Sequence, residues 1–321
     1  MKAYARLPGL VLRGLVSSDR PLLAHLVVTR RCNLSCAYCN EYDHSSRPVP
    51  GEVLAERIAH LARLRTVMVA CTGGEPLLHP DLDQVVREIR SRGMTAMLST
   101  NGYLLTRETI ESLNDAGLDV MQISIDNLEP DAVSAKSLSL LDDRLRLLAR
   151  VARFDVNVNS VMGPGSRPAD ALEIARRAAS YGHSHSVGFA HDSGGAFLTL
   201  SGEARSAYRT IGRRSNALLH GFNHWLFQRH LVRGRSCAWR CRAGARFLYV
   251  DELGRVCWCS QRRDRPATPL CQYGLEDIRR SFRTEKTCAP YCTLNCVHHV
   301  GALDGWRRQP IRDPRTPQPR T

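Results

Sequence analysis

Lysine is nearly absent from this chain. Of 321 residues only Lys2, Lys136 and Lys286 are lysine, although lysine and arginine together number 45. The formal charge of +14 is therefore carried almost wholly by arginine, scattered as in RRSNALLHGFNHWLFQRHLVRGR rather than packed into a block. A dense basic patch of the kind that tracks a nucleic-acid backbone is missing. The charge reads as a solvated surface whose field would still draw an anionic small molecule toward a site. Long apolar runs are missing too: none reaches eighteen residues, so no transmembrane helix is expected. The short N-terminal stretch GLVLRGLV is broken by Arg13 and has no signal-peptide cleavage pattern, which points to the cytoplasm. No internal repeat is visible.

Cysteine, by contrast, is abundant. Three of the twelve lie at Cys32, Cys36 and Cys39, one at Cys71, and eight between Cys237 and Cys296. With nothing directing the chain to an oxidising compartment, clustered thiols read as metal ligands rather than disulfides. Hydrophobic content of 43% and charged content of 24% belong to a folded globular protein. The length suits one large domain with a smaller one.

Apolar β-branched runs alternate with amphipathic stretches. Strands are predicted at 24–29, 66–72, 95–100, 120–126, 154–162 and 185–192. Between them, Leu54, Ile58, Leu61 and Leu64 recur at helical spacing, as do Leu82, Val85, Val86 and Ile89, and Leu138, Leu141, Leu145 and Leu148. Further helices fit 106–116 and 168–181. Six strands in strict alternation with helices imply an α/β fold with a parallel sheet and helices outside. An open doubly wound sheet and a curved partial barrel both fit. The pattern breaks near residue 200. Residues 201–235 read as connecting helices, 236–300 as a small cysteine-rich domain, and 301–321 as a disordered proline- and arginine-rich tail.

The loop CNLSCAYC follows the first strand and spaces its thiols C-x3-C-x2-C. A structural zinc site wants four ligands, and His44 is near enough in sequence to be the fourth. The alternative is a cubane cluster held by three thiolates, which leaves one iron open to a further ligand. Farther on, TGGEP at 72–76 follows the second strand and STNG at 99–102 closes the third. Cys71 reads as a buried inert thiol.

With Tyr38 before its last cysteine, and with GGEP and STNG in order behind it, the loop resembles the signature of the radical S-adenosylmethionine (SAM) superfamily. The resemblance implies a partial (β/α)6 TIM-like barrel over residues 1–200. It implies a 4Fe–4S cluster on Cys32, Cys36 and Cys39 whose open iron chelates SAM. It also implies reductive cleavage of SAM to a 5′-deoxyadenosyl radical that takes a hydrogen atom from a substrate. Gly73 and Gly74 would let the backbone approach the cofactor, Glu75 would receive its ammonium, and Pro76 would start the following helix. Alternation puts Ser124 and Asp126 on one face of the fourth strand and Asn157 and Asn159 on one face of the fifth. Polar residues at the C-terminal ends of buried parallel strands suggest a ligand at the mouth. By resemblance, Tyr38, Ser99, Asn101, Ser124, Asp126 and Asn159 join the cofactor site. No catalytic residue is named. His191 and Asp192, at the end of the sixth strand, could face substrate.

The segment CRAG…VDELGRVCWC resembles the start of a SPASM or twitch extension: a cysteine, a hairpin turning at Glu252–Gly254, then another cysteine. The resemblance implies at least one auxiliary iron–sulfur cluster. The closing group departs from the full SPASM pattern, reading C-x3-C-x3-C with no cysteine after Cys296. Position-wise carry-over gives one cluster on Cys237, Cys241, Cys259 and Cys296. Cys288 and Cys292 compete for these places, Cys257 competes with Cys259, and Cys271 is undecided; zinc remains an alternative.

The expected function is therefore a radical SAM enzyme served by a flavodoxin- or ferredoxin-type reductant. Its expected substrate is a small biosynthetic intermediate, phosphorylated or nucleotide-like, because about thirty residues before the cluster loop leave no room for a fused peptide-recognition domain. Maturation of a ribosomally made peptide is the alternative. A zinc-stabilised nucleic-acid-binding protein is the competing class, and it leaves GGEP, STNG and the six-strand alternation unexplained.

Overall fold

The computed structural model describes Leu12 and residues 16–191, 197–214, 224–305 and 311–312. Six parallel strands lie side by side in chain order: β1 (Leu23–Thr29), β2 (Met68–Gly73), β3 (Thr95–Thr100), β4 (Val120–Ser124), β5 (Asp155–Met162) and β6 (Ser184–Phe189). The order never reverses, so there is no doubly wound switch point. The sheet is that of a partial barrel.

Helices fill the connections. Gly51–Arg63 buries Leu54, Ile58 and Leu61; Leu82–Ser91 buries Leu82, Val85, Val86 and Ile89; Leu138–Val151 buries Leu138, Leu141, Leu145 and Leu148. Arg107–Ala116 starts at Thr106, whose side chain accepts from Thr109 N, and ends at Gly117 in the left-handed region. The helical stripes meet the outer face of the sheet in one continuous core.

The inner face differs along the barrel. On β3–β6 every second residue is half-buried, and these are mostly polar: Ser99, Gln122, Ser124, Asn157, Asn159 and Ser186 among them. Polarity was expected only at the strand ends, but it runs the depth of this wall. On β1 and β2 the same face is dry. There Leu23, Val27 and Ala70 pack against Phe247, Tyr249, Trp258 and Val297 of the C-terminal segment.

That segment also extends the sheet. β7 (Phe247–Val250) pairs parallel to β1, and β8 (Arg255–Cys259) and β9 (Arg262–Pro269) follow antiparallel. The expected hairpin is present, and it continues the barrel sheet instead of standing apart from it. A buried ion pair, Arg246 Nε to Asp304 Oδ2 at 2.7 Å, ties it down, and Arg246 also donates to the carbonyls of Ser17 and Arg20.

The opposite edge of the sheet is covered as well. The Val187 carbonyl on β6 accepts from Gln228 Nε2 at 2.8 Å and Asn295 Nδ2 at 2.9 Å. Helix Gly202–Arg214 lies in the expected connecting region, whose residues 215–223 fall outside the described ones. Of the segment expected to be disordered, helix Asn295–Ala302 runs into its first residues, and Ile311–Arg312 (β11) pairs with Thr284–Glu285 (β10). Residues 306–310 and 313–321 lie outside the described residues. No helix among the described residues is long and apolar enough to cross a membrane.

Candidate active site

The cysteine loop leaves β1 at its C-terminal end, at the mouth of the barrel. Cys36 is buried and Cys32 and Cys39 are half-buried; none of the three is in a disulfide. Cys39 N donates to the Cys36 carbonyl at 3.0 Å, which folds the loop back on itself. Burial raises the Cys32 thiol, and charge on Glu75, Cys39 and Cys36 raises it further, which puts the three sulfurs within electrostatic reach of one another. His44 is spoken for: its Nδ1 bonds the Cys32 carbonyl and its Nε2 bonds Ser35 Oγ, each at 3.0 Å. That leaves three sulfur donors, one short of a structural zinc site. Such a set fits an iron–sulfur cubane that keeps one iron for another ligand. Among the described residues no three His, Cys, Asp or Glu side chains are arranged to hold a single metal ion. A cubane shares its thiolates among several irons and does not ask for that convergence.

The GGEP turn proves to be a packing device. A Cβ on Gly74 would stand 2.3 Å from the Arg30 carbonyl oxygen and 2.4 Å from that of Arg31; one on Gly73 would stand 2.0 Å from that of Thr29. Gly74 N and Glu75 N donate to the carbonyls of Thr29 and Arg31. The glycines are thus required by the segment that leads into Cys32, before any cofactor is considered. Glu75 is fully buried. Its carboxylate accepts from Leu77 N at 3.0 Å, Thr100 Oγ1 at 2.7 Å and Asn101 N at 2.7 Å. It has no exposed surface to offer an ammonium, so its part is to lock the end of β2 to the end of β3. Pro76 opens a short 3-10 turn, Pro76–Leu78.

Asp126 is held by the chain's own donors. It lies beyond the end of β4, and its carboxylate is occupied. Oδ2 accepts from Tyr38 OH at 2.6 Å and Ser134 Oγ at 2.8 Å, and Oδ1 accepts from Val161 N at 3.1 Å. It thereby positions Tyr38 and the loop. The residue missed from sequence is Lys136. Its Nζ donates to Tyr38 OH, stands 3.3 Å from Asp126 Oδ2 and lies 4.9 Å from the Tyr38 ring centre. Burial works against the ammonium, but Asp126 and Tyr38 outweigh it and hold Lys136 above its ordinary pKa. Its charge also reaches Cys39 and Glu75. The available signal was its rarity in a chain of arginines.

Asn101 Nδ2 donates to Asn33 Oδ1 at 2.8 Å and points toward Cys32 Sγ at 3.9 Å. Ser99, Ser124 and Asn159 sit half-buried on the polar inner wall. There Ser184 Oγ donates to Asn157 Oδ1, Asn157 Nδ2 to Ser186 Oγ, and Ser186 Oγ to Asn159 Oδ1. His191, at the rim, bonds Gln261 Nε2 at 2.9 Å, and Gln261 Oε1 accepts from Asn40 beside the cysteine loop. Asp192 lies outside the described residues. Cys71 is fully buried, and burial pushes its thiol up to about 12.

A second group of thiols forms in the C-terminal segment. Cys259 feels charge on Cys241, Cys288 and Cys296, and Cys292 feels charge on Cys241, Cys259 and Cys288. Burial raises the Cys241 thiol to about 11 and the Cys296 thiol to about 12, and it raises Cys259 and Cys292 as well. Cys237, expected among the ligands, has its sulfur 3.4 Å from the Leu226 carbonyl, and no cysteine is among the groups whose charge acts on it. Cys257 turns to the Arg263 carbonyl at 2.9 Å, and Cys271 is exposed. Glu41 lies between the two groups. It accepts from Tyr249 OH at 2.5 Å, and its charge reaches both Cys39 and Cys296.

Comparison with known proteins agrees with this geometry. The model of the Radical SAM superfamily matches residues 26–189. The chain is 32% identical over 165 residues to a GTP 3′,8-cyclase of Microcystis aeruginosa, covering 45% of this chain and 49% of that one. It is 36% identical over 112 residues to a PqqA peptide cyclase of Bradyrhizobium diazoefficiens, covering 34% of this chain and 30% of the other. Thus it spans about half or less of these relatives. Its fold is similar to that of Streptococcus suis SuiB bound to the precursor peptide SuiA, with a TM-score of 0.62 and 15% identity over 89% of this chain and 73% of SuiB.

Proposed function

The chain belongs to the radical SAM superfamily, and on that premise we propose that it is an enzyme that uses SAM to modify a peptide, with an auxiliary iron–sulfur cluster beside the main site. Cys32, Cys36 and Cys39 would hold the main cluster, and Cys241 and Cys259 with two of Cys288, Cys292 and Cys296 the auxiliary one. When bound, the main cluster and SAM supply a 5′-deoxyadenosyl radical able to remove a hydrogen atom from carbon. The protein's own residues do the rest. Asn101 holds Asn33 beside Cys32, while Tyr38, Asp126 and Lys136 fix the other side of the loop. The Lys136 ammonium, at the rim, suits a carboxylate of the cofactor. Ser99, Ser124 and Asn159 offer uncharged hydrogen-bonding groups on the inner wall, and the C-terminal segment fills the β1–β2 side and keeps water out. Residues 1–200, 201–235 and 236–300 serve as barrel, connection and auxiliary-cluster segment.

One observation carries the choice of substrate. The inner wall of β3–β6 has no lysine or arginine in a chain that has 45 of them. A polyphosphate would find no cation there, whereas amide and hydroxyl groups match the backbone of a peptide. The fold shared with SuiB supports the same reading, and the GTP cyclase relatives favour the small-molecule one. The loaded enzyme, given SAM and dithionite anaerobically, decides between them. Peptides containing varied side chains should raise 5′-deoxyadenosine formation and change mass, and nucleoside triphosphates should do neither; stimulation by nucleotides alone would reverse the assignment. A cytoplasmic location and a flavodoxin- or ferredoxin-type donor complete the proposal.

A further inference from the structure

The two lysines of the described chain each stand beside a cysteine group. Lys136 is near Cys36 and Cys39, and Lys286 is near Cys241. Lys286 is only 3% exposed. Its Nζ donates to the carbonyls of Ser281 and Thr284, the latter at 3.0 Å, at the end of helix Leu275–Arg283. It lies 5.1 Å from the ring centre of Trp258, which adjoins Cys259, and it is two residues from Cys288. Its charge pulls the Cys241 thiol down against the burial that raises it.

We propose that Lys286 is a positioning residue whose buried ammonium sets the reduction potential of the auxiliary cluster. The inference rests on the auxiliary-cluster reading above. Thiolate ligands make the cluster anionic, and reduction adds one electron to it. A cation held nearby in a poorly screened interior stabilises the reduced form more than the oxidised one. The electron comes from a flavodoxin- or ferredoxin-type donor, or from dithionite in the laboratory. No bond is made or broken and no proton has to move. Lysine suits this role. Two carbonyls hold its single charge beside the Trp258 indole, in a buried position.

The plain alternative is a staple for the helix end. Lys286→Gln separates the two, because an amide can still donate to the carbonyls but carries no charge, and Lys286→Arg keeps the charge. Each is made in the reconstituted full chain and titrated anaerobically by electron paramagnetic resonance. The auxiliary potential should fall in the glutamine variant by about 59 mV, a tenfold change in a one-electron equilibrium. The main cluster should not move, and the arginine variant should match the wild type. Loss of auxiliary iron in Lys286→Gln but not in Lys286→Arg also supports a charge role. Equal potentials in glutamine variant and wild type, or loss of auxiliary iron in both variants, overturn it. A parallel protein with Cys32, Cys36 and Cys39 all replaced by alanine tests the premise: if it takes up no iron, the auxiliary-cluster reading itself fails.

Discussion

Glu75 is where fold and site meet, and replacing it has a calculable cost. Glu75→Ala strips the acceptor from the buried backbone N–H of Asn101, the half-buried one of Leu77 and the buried Thr100 hydroxyl. A buried donor left without a partner costs ~1–3 kcal/mol. The three belong to one network and do not add fully, so the sum is about 3–4 kcal/mol. Burial raises the Glu75 carboxyl, and its three hydrogen bonds pull the other way. Loss of the charge itself is therefore no great penalty. Glu75→Gln should accordingly be milder, about 1–2 kcal/mol, because its oxygen can keep two donors while its amide nitrogen confronts the third. Denaturant unfolding of the metal-free protein measures both. In the loaded protein SAM should bind more weakly, since Asn101 holds the cysteine loop through Asn33, while the iron content of the main cluster is kept. An alanine variant within about 1 kcal/mol of wild type would refute the reasoning, given the penalty per buried donor. So would a glutamine variant less stable than the alanine one.

Two further outcomes are expected. Gly74→Ala drives a Cβ into two backbone carbonyls that cannot swing aside, and should cost about 3 kcal/mol by overpacking; a thermally unchanged variant that only loses SAM would restore the cofactor-approach role. Burial lowers His25 to about 4 and His298 to about 3. Both folded values lie below the unfolded one, so the stability they contribute is present above about pH 6.5 and is lost as pH falls toward those values. Each should add a slope of about 1.4 kcal/mol per pH unit in that window. Thermal unfolding of metal-free wild type and of His25→Phe from pH 7 to 5 checks this, and an equal slope in the two proteins rejects it for His25.

Much of the barrel is legible in the chain itself. Period-two runs and leucine stripes place six strands and the helices between them to within about two residues at most ends, because burying one face is a local demand that leaves a periodic record. The three-cysteine loop is equally visible: its ligands are close in sequence and need no partner from elsewhere. GGEP is visible as well, but the reason for its glycines is not. That reason is the approach of β2 to residues 29–31, which no local pattern reports. Glu75 and Asp126 read as cofactor groups because a carboxylate at a strand end looks the same from sequence whether it faces a ligand or the chain's own N–H and hydroxyl donors.

The C-terminal segment divides the two kinds of information most sharply. Its cysteine count and its hairpin are written in the residues. Which thiols share a site is not: Cys237 lies four positions from Cys241 and Cys257 two from Cys259, yet of these pairs only Cys241 and Cys259 turn into the group with Cys288 and Cys292. The sequence alone determined the alternation, the α/β class and the main three-cysteine loop, since each is set by residues a few positions apart, whereas the choice of a partial barrel over a doubly wound sheet came from the strand order. Only the tertiary structure decided that the hairpin continues the barrel sheet through β1, that Lys136 and Lys286 stand beside the two cysteine groups, and that Glu41 lies between them. Two of these pairings join residues a hundred or more positions apart (Cys36 with Lys136, Glu41 with Tyr249), and Lys286 stands 45 positions from Cys241. What brings such residues together is the burial of a shared surface, which the packing of the whole chain settles.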